Sequence, residues 1–282
     1  MITRRKMISD VFAAISVPLI GKAYPVRSMI AAEGSRMLFE EGGGEISAAS
    51  YIHDGLVVMW DAIENSGHLS HNDNATTWVD LSGNGYDAQM TGTLGSGYYW
   101  EDNAYVRMNN GVGGGFGYVD ITDLMLNPVQ EAKFTVEMVT RSPTYSSDWT
   151  TQIFNLCTAS NSGWSSAIVS VVRREDDGRV YPTAFSTYRC NQNFYPQNAN
   201  QIMTVSSVLD GSYYSFYHDS ILANNTRTNI TPDGSISGVF ARLGSTGYAF
   251  RGRYMNYRIY SRPLSKEELE YNSSIDKIRF LF

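Results

Sequence analysis

Cysteine is nearly absent. Cys157 and Cys190 are the only two in 282 residues, which excludes a disulfide-dense scaffold and a cysteine-based zinc site of ordinary spacing. Two readings fit the pair, a disulfide between adjacent strands in an oxidising compartment and two buried thiols. Histidine is scarce too: the four are dispersed at His53, His68, His71 and His218. A basic excess is missing, since 22 Lys and Arg face 28 Asp and Glu for a net charge of −6. The basic residues are scattered, so nothing electrostatic points to nucleic acid. No apolar run is long enough for an ordinary membrane-spanning helix. No Gly-x-Ser-x-Gly elbow occurs, and Gly111 to Gly117, GVGGGFG, lacks the Lys-Ser/Thr of a phosphate-binding loop.

What the chain does have is aromatic residues and turns. Nineteen Tyr, 12 Phe and five Trp beside 25 Gly favour a β-rich protein. Short strand-like runs recur between turn signals from Leu56 to Tyr260, among them LVVMWDA, FTVEMVTR, IMTVSSVL and YMNYRIY. No helical pattern interrupts them, which predicts two sheets hiding each other's apolar faces. Ahead of this lies a different composition, residues 1–50. Arg4, Arg5 and Lys6 precede the apolar run Val11 to Ile20, and Tyr24 to Ser50 is small, polar and Gly-rich around Gly42 to Gly44. Two readings fit: a signal peptide, with twin-arginine character, or a basic attachment arm, in either case followed by a linker that packs poorly on the rest. Residues 51–282 are expected to form the globular domain.

Its C-terminal end is the most specific segment. Tyr254, Asn256, Arg258 and Tyr260 alternate with Met255, Tyr257 and Ile259, which predicts a strand near Arg253 to Tyr260. Pro263 stops it, and Ser265 with Glu268 forms a capping box for a helix reaching to about Asn272. Upstream, Gly55 to Ala88 contains a strand and the turn Asp-Leu-Ser-Gly-Asn-Gly, and Leu209 to Leu222, LDGSYYSFYHDSIL, predicts a hairpin. In this order and spacing the segments resemble laminin-G-like domains of the concanavalin A-like lectin/glucanase superfamily. The tail LSKEELEYNSSIDKIRF is similar to versions encoded in prophages and mobile elements of gut bacteria. The resemblance implies an all-β, antiparallel two-sheet jelly-roll sandwich closed by a short C-terminal helix.

Catalytic members of that superfamily place paired acids on one strand, as Glu-x-Asp-x-x-Glu or Glu-x-Asp-x-Glu, to flank a glycosidic bond. No such run occurs; Glu137 stands alone in its strand. The expectation is therefore no enzyme and no catalytic residue. The ligand candidates are Asp148, Trp149, Trp164, Asn193, Phe194 and Tyr195, in the segments SPTYSSDWT, SNSGWSS and YRCNQNFYPQNANQ. Sugar rings stack on aromatic faces while amides and carboxylates take their hydroxyls. For metal, Asp80, Asn84 and Asp87 offer calcium the hard oxygens it takes, and the alternative is that they bond only the turn's own backbone. No other cofactor is implied. The leading expectation is a lectin-like carbohydrate-binding or adhesion module on a cell or phage surface, with a glycan as partner and virion or appendage proteins contacting residues 1–50. Its rivals are a structural virion decoration protein without sugar affinity and a divergent glycoside hydrolase.

Overall fold

The computed structural model describes residues 29–30, 38–39, 46–108, 117–141, 151–158, 167–173, 180–185, 188–189, 201–223, 229–231, 235–243 and 252–282. In chain order the strands begin with β1 (Met29–Ile30), β2 (Leu38–Phe39), β3 (Leu56–Asp61), β4 (Thr77–Trp78), β5 (Ala88–Met90), β6 (Tyr98–Glu101) and β7 (Tyr105–Met108). There follow β8 (Gly117–Asp120), helix α1 (Thr122–Gln130), β9 (Lys133–Arg141), β10 (Thr151–Cys157), β11 (Ala167–Arg173), β12 (Val180–Ala184) and β13 (Tyr188–Arg189). The remainder is β14 (Ile202–Asp210), β15 (Tyr213–His218), β16 (Ile221–Leu222), β17 (Phe240–Leu243), β18 (Arg253–Tyr260) and helix α2 (Lys266–Phe280).

Two antiparallel sheets carry the fold. The first runs β16-β15-β14-β9-β18-β7-β6, with β3 paired to the C-terminal half of β18. The second runs β13-β12-β11-β10-β17-β8-β5-β4. This is the expected β-sandwich of jelly-roll kind. Period-two alternation decides what lies between the sheets. From β9, Phe134, Val136 and Met138 enter the common core while Glu137 and Val139 face away from it. Trp60 of β3 stacks on Tyr257 of β18 at a centroid separation of 5.3 Å, and Trp78 packs edge-on against Trp100. Burying an aromatic side chain of this size contributes roughly 1.5–3 kcal/mol, so this cluster is a main anchor of the sandwich. The β14–β15 hairpin turns at Gly211, whose φ of +61° favours glycine.

The strand Arg253–Tyr260 and the capping box of Ser265 and Glu268 form as expected. Three local features differ from expectation. First, α1 is a helix in a stretch where the sequence pattern predicts none. Met125 and Val129, one turn apart, bury in the core, and Asp120 accepts hydrogen bonds from the Thr122 backbone N–H and hydroxyl. Second, α2 continues to Phe280 instead of stopping near Asn272. Its second half reads polar, but Ile275, Asp276 and Phe280 are all buried against the first sheet. Third, residues ahead of the expected boundary at Tyr51 already pack on the domain, Ile46 among them. Ser47 caps a 3₁₀ turn at Ala48–Ser50, Ala48 is fully buried, and Tyr51 slots between that turn and α2.

Candidate functional site

The outer face of the first sheet is roofed by α2, and at one end the roof leaves an open depression of about 720 Å³. Arg141 from the end of β9, Gln201 before β14, Asp219 from the β15–β16 turn, and Lys277, Phe280 and Phe282 from the end of α2 line it. Asp219 is held in the left-handed region at φ +46°, and its Oδ1 accepts the Thr204 N–H at 2.8 Å. Its Oδ2 lies 3.3 Å from Nε2 of His218. Burial lowers the His218 pKa; Asp219 opposes the shift and Lys277 adds to it. The depression therefore combines two cationic side chains, one carboxylate and two aromatic rings.

The six candidate ligand residues all lie outside the described residues, and only the strand ends flanking them are defined. Arg141 immediately precedes the segment with Asp148 and Trp149, and Gln201 follows the one with Asn193, Phe194 and Tyr195. Ile202 pairs with Arg141 in the β14–β9 register, so both segments join the sandwich beside the depression. Trp164 belongs to a segment rooted elsewhere, between Cys157 and Ala167, which pair at the far end of β10 from Thr151. Cys157 is buried, and its Sγ donates to the Phe240 carbonyl at 3.6 Å. Cys190 lies outside the described residues.

The Asp80 turn spends its oxygens on its own chain. Oδ1 of Asp80 accepts the N–H groups of Met59 and Ser82, and Oδ2 accepts the Ser82 hydroxyl and the Tyr86 N–H. Asp87 Oδ1 accepts the Asp80 N–H at 2.8 Å, and the Asn84 amide donates to the Leu56 and Val57 carbonyls. Calcium needs several converging oxygens with free lone pairs. In this arrangement the Asp80 lone pairs are taken by N–H and O–H donors, a poor fit to the ion. No cluster of three or more His, Cys, Asp or Glu side chains suited to a metal occurs among the described residues.

Among the described residues a dense concentration of charge is buried under α2, and sequence reasoning missed it. Arg258 grips Asp276 through two bonds of 2.7 and 2.9 Å and reaches Glu137 at 3.1 Å. Arg279 donates to both Asp61 and Glu64 at 2.9 Å. Tyr51 donates to Asp276 at 2.8 Å, and its ring lies 4.1 Å from the Arg258 guanidinium. Asn272 adds a 2.7 Å bond to Glu137, and Asn256 one of 2.6 Å to Asp61. Burial raises the pKa of Asp61 and of Glu137 against the lowering effect of the neighbouring arginines. For Arg258, burial disfavours the charge, but the carboxylates of Asp276 and Glu137 outweigh it and hold the guanidinium above its ordinary value. The signal was present in sequence: a lone Glu in FTVEMVT and a lone Arg in YMNYRIY occupy interior strands, where an ion needs a partner.

No protein-family model and no curated protein matches the chain. Among solved structures it is similar to Trypanosoma rangeli sialidase in complex with 2,3-difluoro-KDN, at TM-score 0.59 and 16% identity over 97% of this chain and 38% of that one. It is also similar to the receptor binding domain of botulinum neurotoxin C/D mosaic serotype, at TM-score 0.56 and 14% identity over 79% of this chain and 52% of that one. The chain thus spans well under two thirds of either neighbour. At such identity the likeness shows the fold alone, a β-sandwich compatible with the concanavalin A-like jelly roll.

Proposed function

We propose that this chain is a non-catalytic, lectin-like carbohydrate-binding or adhesion module of laminin-G-like kind, displayed on a cell or phage-particle surface. The observation that carries the proposal is the depression at the end of α2, where Arg141, Gln201, Lys277 and Phe282 stand together beside the roots of two polar-aromatic segments. Aromatic surface beside charged and amide groups is what a sugar ring needs. The neighbours lend it a direction: one is a sialidase that also occurs in complex with sialic acid, the other a toxin receptor-binding domain. A binding role is preferred to hydrolysis because Glu137, Asp276, Asp61 and Glu64 are buried and held by arginine, out of reach of a substrate. Of the expected N-terminal segment 1–50, the part ahead of Ile46 would then serve as the leader or as the arm that meets virion or appendage proteins.

A glycan array with the full chain tests this. Retention of at least one glycan is expected. Lys277→Ala, Trp149→Ala and Tyr195→Ala should each weaken it about tenfold, which is about 1.4 kcal/mol, while Tm stays put. A chain that retains no glycan is a structural decoration protein instead. Release of reducing ends from mixed polysaccharides would establish a hydrolase.

A further inference from the structure

We infer that a row of arginines on the outer face of the first sheet extends the depression into a track for a carboxylate-bearing glycan chain; that the ligand is a glycan rests on the reading above. Three adjacent strands supply the row. Arg107 of β7 lies opposite Arg253 of β18, and Arg253 lies opposite Arg141 of β9. Tyr99 of β6 pairs with Arg107 and ends the row. All three arginines leave the sheet on the side of α2. Arg107 and Arg253 both reach Glu101, at 3.0 and 3.3 Å. The Arg253 guanidinium lies 4.7 Å from the ring of Tyr105, which shares one apolar cluster with Phe280 of α2. Arg141 lines the depression together with Lys277 and Phe280.

The row is open to a ligand: the Arg107 side chain is 43% exposed and that of Arg253 26%, and Lys277 is exposed at the depression. Like charges placed directly opposite one another on a sheet face destabilise it. Arg253 meets that situation on both sides, and Glu101 relieves it on the Arg107 side alone. Among the described residues two more carboxylates lie near the row, and each has an internal task. Asp102 accepts the Tyr105 hydroxyl and Asp219 accepts the Thr204 N–H. With a net charge of −6 over the whole chain, this line of cations is a local feature and not a consequence of composition. An arrangement that costs the sheet stability is explained by an anion that completes it.

Two properties narrow the ligand. A guanidinium presents a planar fork that matches a carboxylate, the geometry Arg258 already uses on Asp276. Neighbouring strands lie about 4.8 Å apart, which sets Arg107 roughly 10 Å from Arg141 along the row. Such a span exceeds one sugar ring, so the anions must recur along an extended chain. The Tyr99 ring, 4.8 Å from the Arg107 guanidinium, adds aromatic surface at the far end.

The test uses the full chain, a monomer-to-tetramer ladder of uronates, and the same ladder with its carboxyls reduced to alcohols. For the wild type, affinity should rise with length, fall about tenfold when salt is raised from about 0.05 to about 0.5 M, and be lost on the reduced ladder. Arg107→Gln and Arg253→Gln should each bind the tetramer about five- to tenfold more weakly and leave the monomer, held in the depression, unaffected. Arg107→Lys, which keeps the charge and loses the fork, should fall between Arg107→Gln and wild type. The exposed Arg107 variants should keep the wild-type Tm, so they decide the matter if Arg253→Gln is unstable. Equal binding of the charged and reduced ladders, or wild-type tetramer affinity in Arg107→Gln, would overturn the inference. If the array still retained a neutral glycan and Lys277→Ala lost it, the depression reading would survive that result. Tighter binding to a DNA oligonucleotide of equal charge would overturn the inference in favour of a phosphate-backbone surface. A wild type that retains no glycan sinks both readings.

Discussion

Replacing Arg258 by Met probes the centre of the buried charge network. The guanidinium is fully buried and neutralises two carboxylates at once, Asp276 through a bidentate pair and Glu137 through Nε. Methionine fills much of the same volume but leaves both acids facing each other without a cation. Removing one partner of a buried ion pair costs about 3–5 kcal/mol. In a domain of this size that corresponds to a fall in Tm of roughly 6–20 °C. The loss must also depend on pH. Glu137 and Asp61 already have raised folded-state pKa values, so the folded state holds protons that the unfolded chain releases. Their contribution is therefore fully present below the ordinary carboxylate range and is lost as pH rises through the folded values. Without Arg258, Glu137 shifts further upward and the slope steepens. Thermal melts of wild type and Arg258→Met at acid and neutral pH should show the deficit largest at neutral pH and shrinking on acidification. A deficit under about 2 °C at neutral pH, or one that grows on acidification, would refute the reasoning.

The strap at Ile46–Ile52 should behave as part of the domain. Tyr51→Phe removes the hydroxyl bonded to Asp276 and should cost about 1.5–3 kcal/mol by denaturant unfolding. Deleting residues 1–45 should leave Tm unchanged, whereas deleting through Ile52, which also loses the Ala48 N–H bond to Glu64, should lower it. At the Asp80 turn, adding calcium or a chelator should leave Tm unchanged, while Asp80→Ala should destabilise by several kcal/mol through four unpaired donors, each costing about 1–3. A calcium-dependent rise in Tm would show instead that the turn opens to hold the ion.

Much of this protein was determined locally by its sequence. The alternation in YMNYRIY, the stop at Pro263 and the Ser265–Glu268 box act within a few residues, and the strand and helix start formed where those signals stand. The β14–β15 hairpin at Asp210-Gly211 is legible for the same reason, since only a few backbone conformations close a short turn. What the tertiary structure alone decided depends on residues far apart in sequence. The second half of α2 lacks an apolar stripe and is held by Asp276 bonding Arg258, Tyr51 and Thr204, 18, 225 and 72 positions away. Helix α1 likewise forms because the core accepts Met125 and Val129. Arg107, Arg253 and Arg141 read as unrelated cations until strand pairing places them in one row. Local conformational preference is written in neighbouring residues. The partner of a buried charge is set by which strands pair, and that is fixed only when the whole sandwich closes.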